Sequence, residues 1–191
     1  HLRPADSDAA AADLKDCRLI VLQLEVPLDT VYHAIAFGVA HGVPVLLNPA
    51  PARSDLDPAR LAGVRFFVPN ETELASLTGC SVNSPADAEA AARLLIARGV
   101  RCVIVTLGAR GALLVTAETA TLIDPVPVSN GLGVYQDFLY RSRGELSVAK
   151  DIYVRPRSGW FSDRSVCYLA AGRPVITQDT AFGKYIPTGE G

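Results

Sequence analysis

Residues 18–48, "RLIVLQLEVPLDTVYHAIAFGVAHGVPVLLN", contain the pattern that indicates the fold class of this chain. The stretch begins with a continuous apolar run of strand length, residues 18–24. Residues 27–42 follow with apolar side chains at helical spacing, a proline suited to a first helical turn and a glycine suited to ending the helix. A second apolar run, 43–48, comes next. Continuously apolar strands on either side of a helix are typical of a parallel sheet buried under helices.

The same alternation continues along the chain. The further predicted elements are strands at 65–70 and 101–108, a hairpin of 112–116 with 119–126, and helices at 7–16, 71–79 and 84–99. Ser7 or Asp8 is the expected cap of the first of these helices, and Ser84 with Asp87 forms a capping pattern for the last. This order predicts an α/β fold in three layers, a mostly parallel sheet with helices on both faces.

The composition excludes several classes of protein. The chain has 191 residues, 49% of them hydrophobic and 20% charged, so it can bury a core and is not disordered. A formal net charge of −2 argues against a nucleic-acid partner, and no apolar run is long enough to span a membrane. The four cysteines lie outside any metal-ligand spacing, which predicts reduced thiols in a cytoplasmic protein. Without a single methionine, the chain is expected to be part of something longer.

Polar side chains follow the predicted strands at their carboxyl ends. Glu25 follows the first strand, Asn48 the second, Asn70 and Glu73 the third, and the turn 106–111 the fourth. In parallel α/β sheets ligands bind beyond these ends. We therefore expect these residues to line one pocket.

Two short motifs each have a functional and a structural interpretation. In "PNETE", 69–73, Asn70 and Glu73 share one face of a helix start. A carboxylate there can hold Mg²⁺ and an amide can face phosphate, but an ordinary helix cap has the same residues. In "TLGARG", 106–111, the glycines allow close approach to a phosphate or adenine, but a plain turn between strands also needs them. The motifs taken singly leave both interpretations open.

Taken together, "LQLEVPLDTV", "LLNPAPA", "VPNETELASLTG" and "VIVTLGARGALLV" resemble the ribokinase-like carbohydrate kinase family. The resemblance covers about residues 14–128. It implies a sheet sandwiched between helices, here incomplete. It also implies transfer of the γ-phosphoryl group of ATP to a sugar hydroxyl, with ATP and Mg²⁺ as the cofactors.

The resemblance implies roles for single residues. Glu25 matches a carboxylate that contacts the sugar, and Glu73 matches the metal-binding glutamate of an Asn-x-x-Glu motif. Nucleotide binding is implied for Asn70, Thr106, Gly108 and Gly111.

The stretch "SNGLGVYQD", residues 129–137, stands where the family carries Asp-Thr-x-Gly-Ala-Gly-Asp. In the family the glycines form an anion hole and the final aspartate is the general base on the sugar hydroxyl. Gly131 and Gly133 keep the glycine spacing, whereas Asp137 comes three residues late. A displacement of one helical turn, about 5 Å, takes a base out of hydrogen-bond reach. Asp137 is therefore a weak catalytic candidate, and the two glycines are a weak anion hole.

We interpret this stretch instead as a seam between two domains, 1–128 and 129–191. The later segment has a predicted helix at 162–172 and a predicted strand at 174–179. It resembles the carboxy-terminal part of nucleotide-sugar glycosyltransferases. That resemblance implies a diphosphate-facing helix start at Ser162, Asp163 and Arg164, although a capped amphipathic helix is the alternative.

The expected function is therefore that of a carbohydrate kinase, with ribose or a related sugar and a nucleotide as partners. The altered loop predicts impaired activity. A glycosyltransferase fragment and a catalytically dead nucleotide-binding module are the alternatives. An uncovered sheet edge or apolar face would favour a homo-oligomer.

Overall fold

The computed structural model describes residues 2–147, 149 and 151–189. It divides the chain into two compact units, His1–Asp124 and Pro125–Gly191. The division falls four residues before the boundary that the sequence predicts after residue 128. Different ancestries for the two units remain a prediction.

The first unit contains a mixed sheet of six strands in sequential order. Its strands are β1 (Ile20–Leu22), β2 (Val45–Leu47), β3 (Phe66–Phe67), β4 (Val103–Thr106), β5 (Ala112–Val115) and β6 (Ala120–Ile123). Strands β1 to β4 are parallel, and β5 and β6 join them as an antiparallel hairpin. The predicted α/β class, the mostly parallel sheet and the hairpin are thus confirmed. The hairpin's second strand ends at Ile123, earlier than predicted.

Two helices of the first unit precede β1, one connects β1 to β2, and two lie between β3 and β4. They are α1 (Pro4–Ala9), α2 (Ala11–Asp16), α3 (Leu28–His41), α4 (Glu71–Thr78) and α5 (Pro85–Ala97). Gly42 ends α3 in the left-handed conformation with φ 71°, as its position predicts. The predicted cap of α5 is also present, since the amide of Asp87 donates to Ser84 Oγ at 3.1 Å.

The prediction of one helix over 7–16 was wrong. Two short helices, α1 and α2, meet at Ala10, whose φ of −93° and ψ of 11° leave the helical region. Pro4 suits a first helical position, because its φ is fixed and its missing N–H is not needed there. The first helix therefore starts before Ser7, with Arg3 at the cap position, and neither Ser7 nor Asp8 caps it.

One face of the sheet carries the apolar core. Helices α3, α4 and α5 pack here, and their buried side chains belong to the same cluster as those of the strands. The buried strand residues are Ile20, Val45, Leu47, Phe67, Val103, Val105, Leu113 and Val115. Helix α3 lies very close to the sheet at Gly38. A Cβ there would lie 2.4 Å from Val45 Cγ2 and 2.8 Å from the Val43 carbonyl oxygen, so only glycine fits.

The opposite face of the sheet presents a row of apolar side chains that is only partly shielded. We call Val21, Leu46, Phe66, Ile104 and Leu114 the outer row. Its members are register partners across β1–β2, β2–β3 and β4–β5. Val21 is 39% exposed and the other four are half-buried. The sequence predicts a layer of helices on each face of the sheet. Among the described residues, one such layer, formed by α3, α4 and α5, packs on the sheet, which agrees with an incomplete fold.

The second unit is built around two parallel strands. Its elements are α6 (Val126–Ser129), α7 (Leu132–Arg141), β7 (Glu145–Ser147), α8 (Asp151–Val154), α9 (Asp163–Ala170) and β8 (Val175–Thr177). The predicted helix at 162–172 and strand at 174–179 are present with shorter bounds. The sequence missed β7 because its first residue, the buried Glu145, reads as a surface position. Arg164 Nε donates to Glu145 Oε1 at 2.5 Å, which is what makes that position tolerable.

Two further properties concern the whole described part. No helix in residues 2–147, 149 and 151–189 combines the length and the apolar character that crossing a membrane requires. Cys17, Cys80, Cys102 and Cys167 are all free thiols. Burial raises the pKa of the Cys102 thiol, against a smaller lowering by the Arg65 guanidinium.

Candidate functional site

The carboxyl ends of the four parallel strands lie along one edge of the sheet, as the sequence predicts. Glu25 is exposed in the turn after β1, and Asn48 follows β2 directly. Asn70 and Glu73 follow β3, and Thr106 ends β4. We call this edge, from Glu25 to the turn after β4, the carboxyl edge.

Asn70 and Glu73 form a reciprocal cap at the start of α4. The amide of Glu73 donates to Asn70 Oδ1 at 2.8 Å, and the amide of Asn70 donates to Glu73 Oε2 at 2.8 Å. The structural interpretation of the motif is therefore realised, because each side chain satisfies a helix-start amide. Glu73 Oε1 makes no hydrogen bond within the described part of the chain, so the same carboxylate can still ligate a cation.

Thr106 lies directly beside Asn70. The two residues form a parallel bridge, and the amide of Thr106 donates to the Pro69 carbonyl at 2.9 Å. This backbone pairing joins the end of β4 to the start of α4. The capped helix start and the turn after β4 are thus neighbours, although 36 residues separate Asn70 from Thr106.

The turn after β4 needs glycine at two positions. Gly108 has φ 58°, and Gly111 has φ 86° with ψ −131°, a region that side chains other than glycine's strain. The amide of Leu107 donates to the Gly111 carbonyl at 2.8 Å and closes the turn. Apart from the adjoining residues of the same turn, no described residue has an atom within 4 Å of where a Cβ on Gly108 would stand. The backbone at Gly108 is therefore open to a ligand.

Glu25 occupies the far end of the carboxyl edge. The amide of Leu24 donates to the Ala50 carbonyl at 3.0 Å, which ties the turn containing Glu25 to the exit of β2. Neighbouring strands lie about 4.8 Å apart, so the exits of β1 and β4 are separated by roughly 14 Å. Glu25 and Thr106 therefore contact different parts of any ligand that lies along the edge.

Gly131, Gly133 and Asp137 lie at the start of helix α7 and along it. Gly131 is the extended N-cap of α7, with φ −165° and ψ 141°. Gly133 lies inside the first turn of α7, and Asp137 is an exposed residue further along the same helix. All three lie in the second compact unit.

The sequence did not reveal the ion pair that involves Arg110. Its Nη2 donates to Glu71 Oε1, and its Nη1 donates to the Asn83 carbonyl at 3.2 Å. Arg110 thereby connects the turn after β4 to the first turn of α4. The position of Arg110 between the two glycines of "TLGARG" indicates a turn residue, but nothing in the spacing indicates Glu71 as its partner.

The loop after β2 is fixed by a contact that the sequence also missed. The amide of Asp57 donates to Tyr32 Oη at 2.8 Å, and the Arg60 guanidinium lies 3.7 Å from the centre of the Tyr32 ring. Tyr32 reads from sequence as an ordinary member of the buried face of α3. In the structure it also holds the loop that leaves the carboxyl edge.

The described residues contain no cluster of three or more histidine, cysteine or carboxylate side chains that could hold a metal by themselves. A divalent cation at this edge would need oxygen ligands from a bound phosphate besides Glu73. Mg²⁺ commonly binds in this way, through one or two carboxylates and phosphate oxygens.

Known proteins resemble the first unit. Residues 5–130 match the pfkB family carbohydrate kinase. A deoxyribokinase of Salmonella typhi is 56% identical over 117 residues, which are 61% of this chain and 38% of that protein. A ribokinase of Mus musculus is 35% identical over 126 residues, which are 66% of this chain and 38% of that protein. The chain thus spans 38% of the length of either relative.

A solved structure supports the same fold. The Arabidopsis thaliana ribokinase complexed with ribose and ATP aligns with a TM-score of 0.59 and 23% identity, over 70% of this chain and 45% of that one. At this identity the likeness concerns the fold alone. The family match covers residues 5–130 and so includes β1 to β6 and every residue of the carboxyl edge. Both the sequence resemblance and the observed sheet lead to one conclusion: the chain belongs to the pfkB family of carbohydrate kinases.

Proposed function

We propose that the first unit is the nucleotide-binding part of a kinase that moves the γ-phosphoryl group of ATP to a hydroxyl of ribose, deoxyribose or a related pentose. The observation that carries this proposal is the pairing of Asn70 with Thr106, which brings the capped start of α4 and the glycine turn together. The relatives' names, deoxyribokinase and ribokinase, support the sugar class.

Glu73 is the proposed metal ligand. Its Oε2 is held by the Asn70 amide at 2.8 Å, which fixes the carboxylate while Oε1 stays available. A fixed carboxylate oxygen fits Mg²⁺, a hard cation that prefers oxygen ligands. Mg²⁺ bound there would neutralise charge on the phosphate oxygens during transfer. The free amides at the helix start add partial positive charge for the same oxygens.

Thr106, Gly108 and Gly111 are the proposed nucleotide-binding turn. Gly108 leaves its backbone open, and the Thr106 side chain is exposed at the end of β4. A hydroxyl and a main chain without a Cβ can lie against a phosphate or a base without steric conflict. Asn70, at the adjoining helix start, would contact a phosphate oxygen.

Glu25 is the proposed sugar ligand. Its carboxylate is exposed in the turn after β1, three strands away from the nucleotide turn. A carboxylate accepts hydrogen bonds from two neighbouring sugar hydroxyls and so favours a polyol over an apolar ligand. The distance of roughly 14 Å between the strand exits leaves room for the triphosphate between sugar and base.

We further propose that the chain binds Mg²⁺ and ATP weakly and does not phosphorylate a sugar at a measurable rate. Asp137 lies on α7 in the second unit, three residues later than the family's base. General-base help contributes about 10²–10⁴-fold to a rate, and an anion hole adds a comparable factor. A nucleotide-binding module without turnover is therefore the state that we expect of this chain, with a homo-oligomer as a further possibility for its assembly.

A glycosyltransferase fragment is the second candidate, favoured by one observation in the second unit. Helix α9 lies between the parallel strands β7 and β8 in the chain. Its cap residue, Ser162, makes no side-chain capping bond. Free amides at such a helix start can face a diphosphate, with Arg164 as the nearby cation. Arg164 also pairs with the buried Glu145. Binding of a UDP- or GDP-sugar would therefore support this candidate if Arg164→Gln weakens it while the variant keeps the circular dichroism of the parent protein.

Calorimetry with ATP, with and without Mg²⁺, tests the main proposal, and a coupled assay of ADP release with ribose or deoxyribose tests the absence of turnover. Glu73→Gln is the informative variant, because glutamine still accepts the Asn70 amide while the charge is lost. We expect it to abolish the Mg²⁺-dependent part of the affinity. Glu118→Gln, in the hairpin turn at the opposite edge, is the matched control and should change nothing. If ribose or deoxyribose causes ADP release and Asp137→Asn abolishes it, the stretch 129–137 is a working variant of the family's anion hole and catalytic base.

A further inference from the structure

Arg110 joins the turn after β4 to the start of α4, at one end of the carboxyl edge. Its guanidinium donates to Glu71 Oε1 and to the Asn83 carbonyl, the latter at 3.2 Å. Glu71 is the first residue of α4, and Arg110 belongs to the turn after β4. The pair is partly shielded, with 46% of the Arg110 side chain and 29% of the Glu71 side chain exposed.

The first turn of α4 carries two carboxylates, Glu71 and Glu73. Carboxylates stabilise a helix start, because they complement the positive end of the helix dipole. They also repel a polyphosphate that approaches the same turn, since both lie within a screening length of about 10 Å at moderate salt. If Glu73 is the metal ligand, Glu71 is a second carboxylate that the cation does not need, and its charge would oppose nucleotide binding.

We propose that Arg110 is a positioning residue that sets the charge of the nucleotide site. It neutralises Glu71, so that Glu73 alone is left to hold the cation and the net charge of the edge stays low enough for a nucleotide triphosphate. This inference rests on the proposed function of the carboxyl edge. It adds a role for a residue outside the family's motif positions.

A purely mechanical role is the competing explanation. Arg110 also tethers the turn to α4, and loss of the tether alone could loosen the glycine turn. The two explanations differ in what happens when both partners are neutral. The electrostatic role predicts that affinity returns when Glu71 loses its charge together with Arg110. The mechanical role predicts that it does not, because the tether stays broken.

The experiment measures MgATP and Mn²⁺ affinities for the full chain, the variants Arg110→Gln and Glu71→Gln, and the double variant. Arg110→Gln should weaken MgATP binding about fivefold, since a unit charge near a multiply charged ligand is removed. The double variant should return to within about twofold of the parent protein. Mn²⁺ alone should respond with the opposite sign, and Arg110→Gln should bind it more tightly.

Arg93→Gln is the matched control. Arg93 pairs with Glu89 on α5 through two bonds of 2.7 and 2.9 Å and is 42% exposed, but it reaches the Thr116 carbonyl at the opposite edge of the sheet. It should change thermal stability about as much as Arg110→Gln and leave both affinities unchanged.

The outcomes are distinguishable. A double variant as weak as Arg110→Gln for MgATP overturns the electrostatic role, as does an Arg110→Gln variant that loses stability but keeps its affinities. If the parent protein binds no nucleotide, the proposed function fails. The Mn²⁺ measurements then decide on Arg110 alone: tighter binding in Arg110→Gln that the double variant reverses supports the charge role, and unchanged binding overturns it.

Discussion

The two compact units of this chain differ in what fills their interiors. Every member of the large apolar cluster lies between Ile20 and Val115, in the first unit. The second unit buries few large apolar side chains, and it encloses charged and polar groups such as Glu145 and Ser165 instead. The buried polar side-chain atoms without a hydrogen-bond partner in the described residues also lie there: Glu145 Oε2, Ser165 Oγ, Arg173 Nε and Gln178 Oε1.

This difference indicates where the stability of the chain resides. Burial of apolar area is the dominant favourable contribution to folding, whereas each buried polar atom without a partner costs about 1–3 kcal/mol. The first unit satisfies its polar groups through the sheet and the helix caps. The second unit does so only in part, so we expect it to unfold at a lower denaturant concentration.

A substitution in the apolar core should destabilise the first unit strongly and leave the second unit unchanged. Phe67 is fully buried in the first unit, and Phe67→Ala should lower the free energy of unfolding of that unit by about 3–5 kcal/mol. Val21→Ala, on the outer row of the same sheet, should stay within about 0.5 kcal/mol. Urea unfolding followed by circular dichroism provides the measurement. A single transition that Leu139→Ala in the second unit shifts as much as Phe67→Ala would refute separate stabilities.

The two units should also differ in their resistance to limited proteolysis. We expect cleavage between residues 124 and 133, followed by loss of the second unit at least about tenfold faster than loss of the first, because cleavage follows the free energy of local opening. Mass spectrometry of the fragments identifies the cut. Equal protection on both sides of that stretch would contradict two independent units.

A matched pair of caps gives a smaller effect. Ser84 accepts the Asp87 amide at the start of α5, so Ser84→Ala should cost about 1 kcal/mol of stability. Ser162 stands at the same position before α9 but makes no such bond. Ser162→Ala should therefore change stability by only a few tenths of a kcal/mol. Equal losses in thermal unfolding would show that the cap of α9 forms in solution.

The stability that Asp87 contributes should depend weakly on pH in the acidic range. Bonds from the Asn83 amide and then from Ser84 lower the pKa of Asp87 below its ordinary value. A lowered folded-state pKa contributes stability above the unfolded value of about 4, and this contribution is lost as the pH falls through the folded value. The stability difference between the parent protein and Asp87→Asn should accordingly shrink between pH 5 and about 2. If the stability difference between the parent protein and Asp87→Asn stays constant over this range, the lowered pKa of Asp87 does not contribute to stability.

The parts that sequence predicted well depend on neighbours along the chain. Gly42 and the Ser84–Asp87 cap are local signals, and the apolar strands report their own burial. The order of strands then placed Asn70 near Thr106, because parallel strands exit at one edge.

The parts that sequence missed depend on distant partners. Arg110 finds Glu71 across 39 residues, and Arg164 finds Glu145 across 19, so neither ion pair has a local signature. Strand β7 was missed for the same reason, because the distant partner Arg164 is what allows Glu145 to be buried at its start. The break at Ala10 was missed because an alanine-rich segment favours a continuous helix, whereas Pro4 set an earlier start.

The outer row of the sheet has a calorimetric consequence. Unfolding raises the heat capacity because newly exposed apolar groups are hydrated, by about 12–15 cal/mol/K per residue in complete domains. Val21 and its four neighbours in the outer row already meet water in the folded chain, so they add less to this increment. The heat-capacity change of unfolding per residue should therefore fall below the range of complete domains. The curve of stability against temperature then becomes flatter, and both cooling and moderate warming change the folded population less than they would for a sheet covered on both faces.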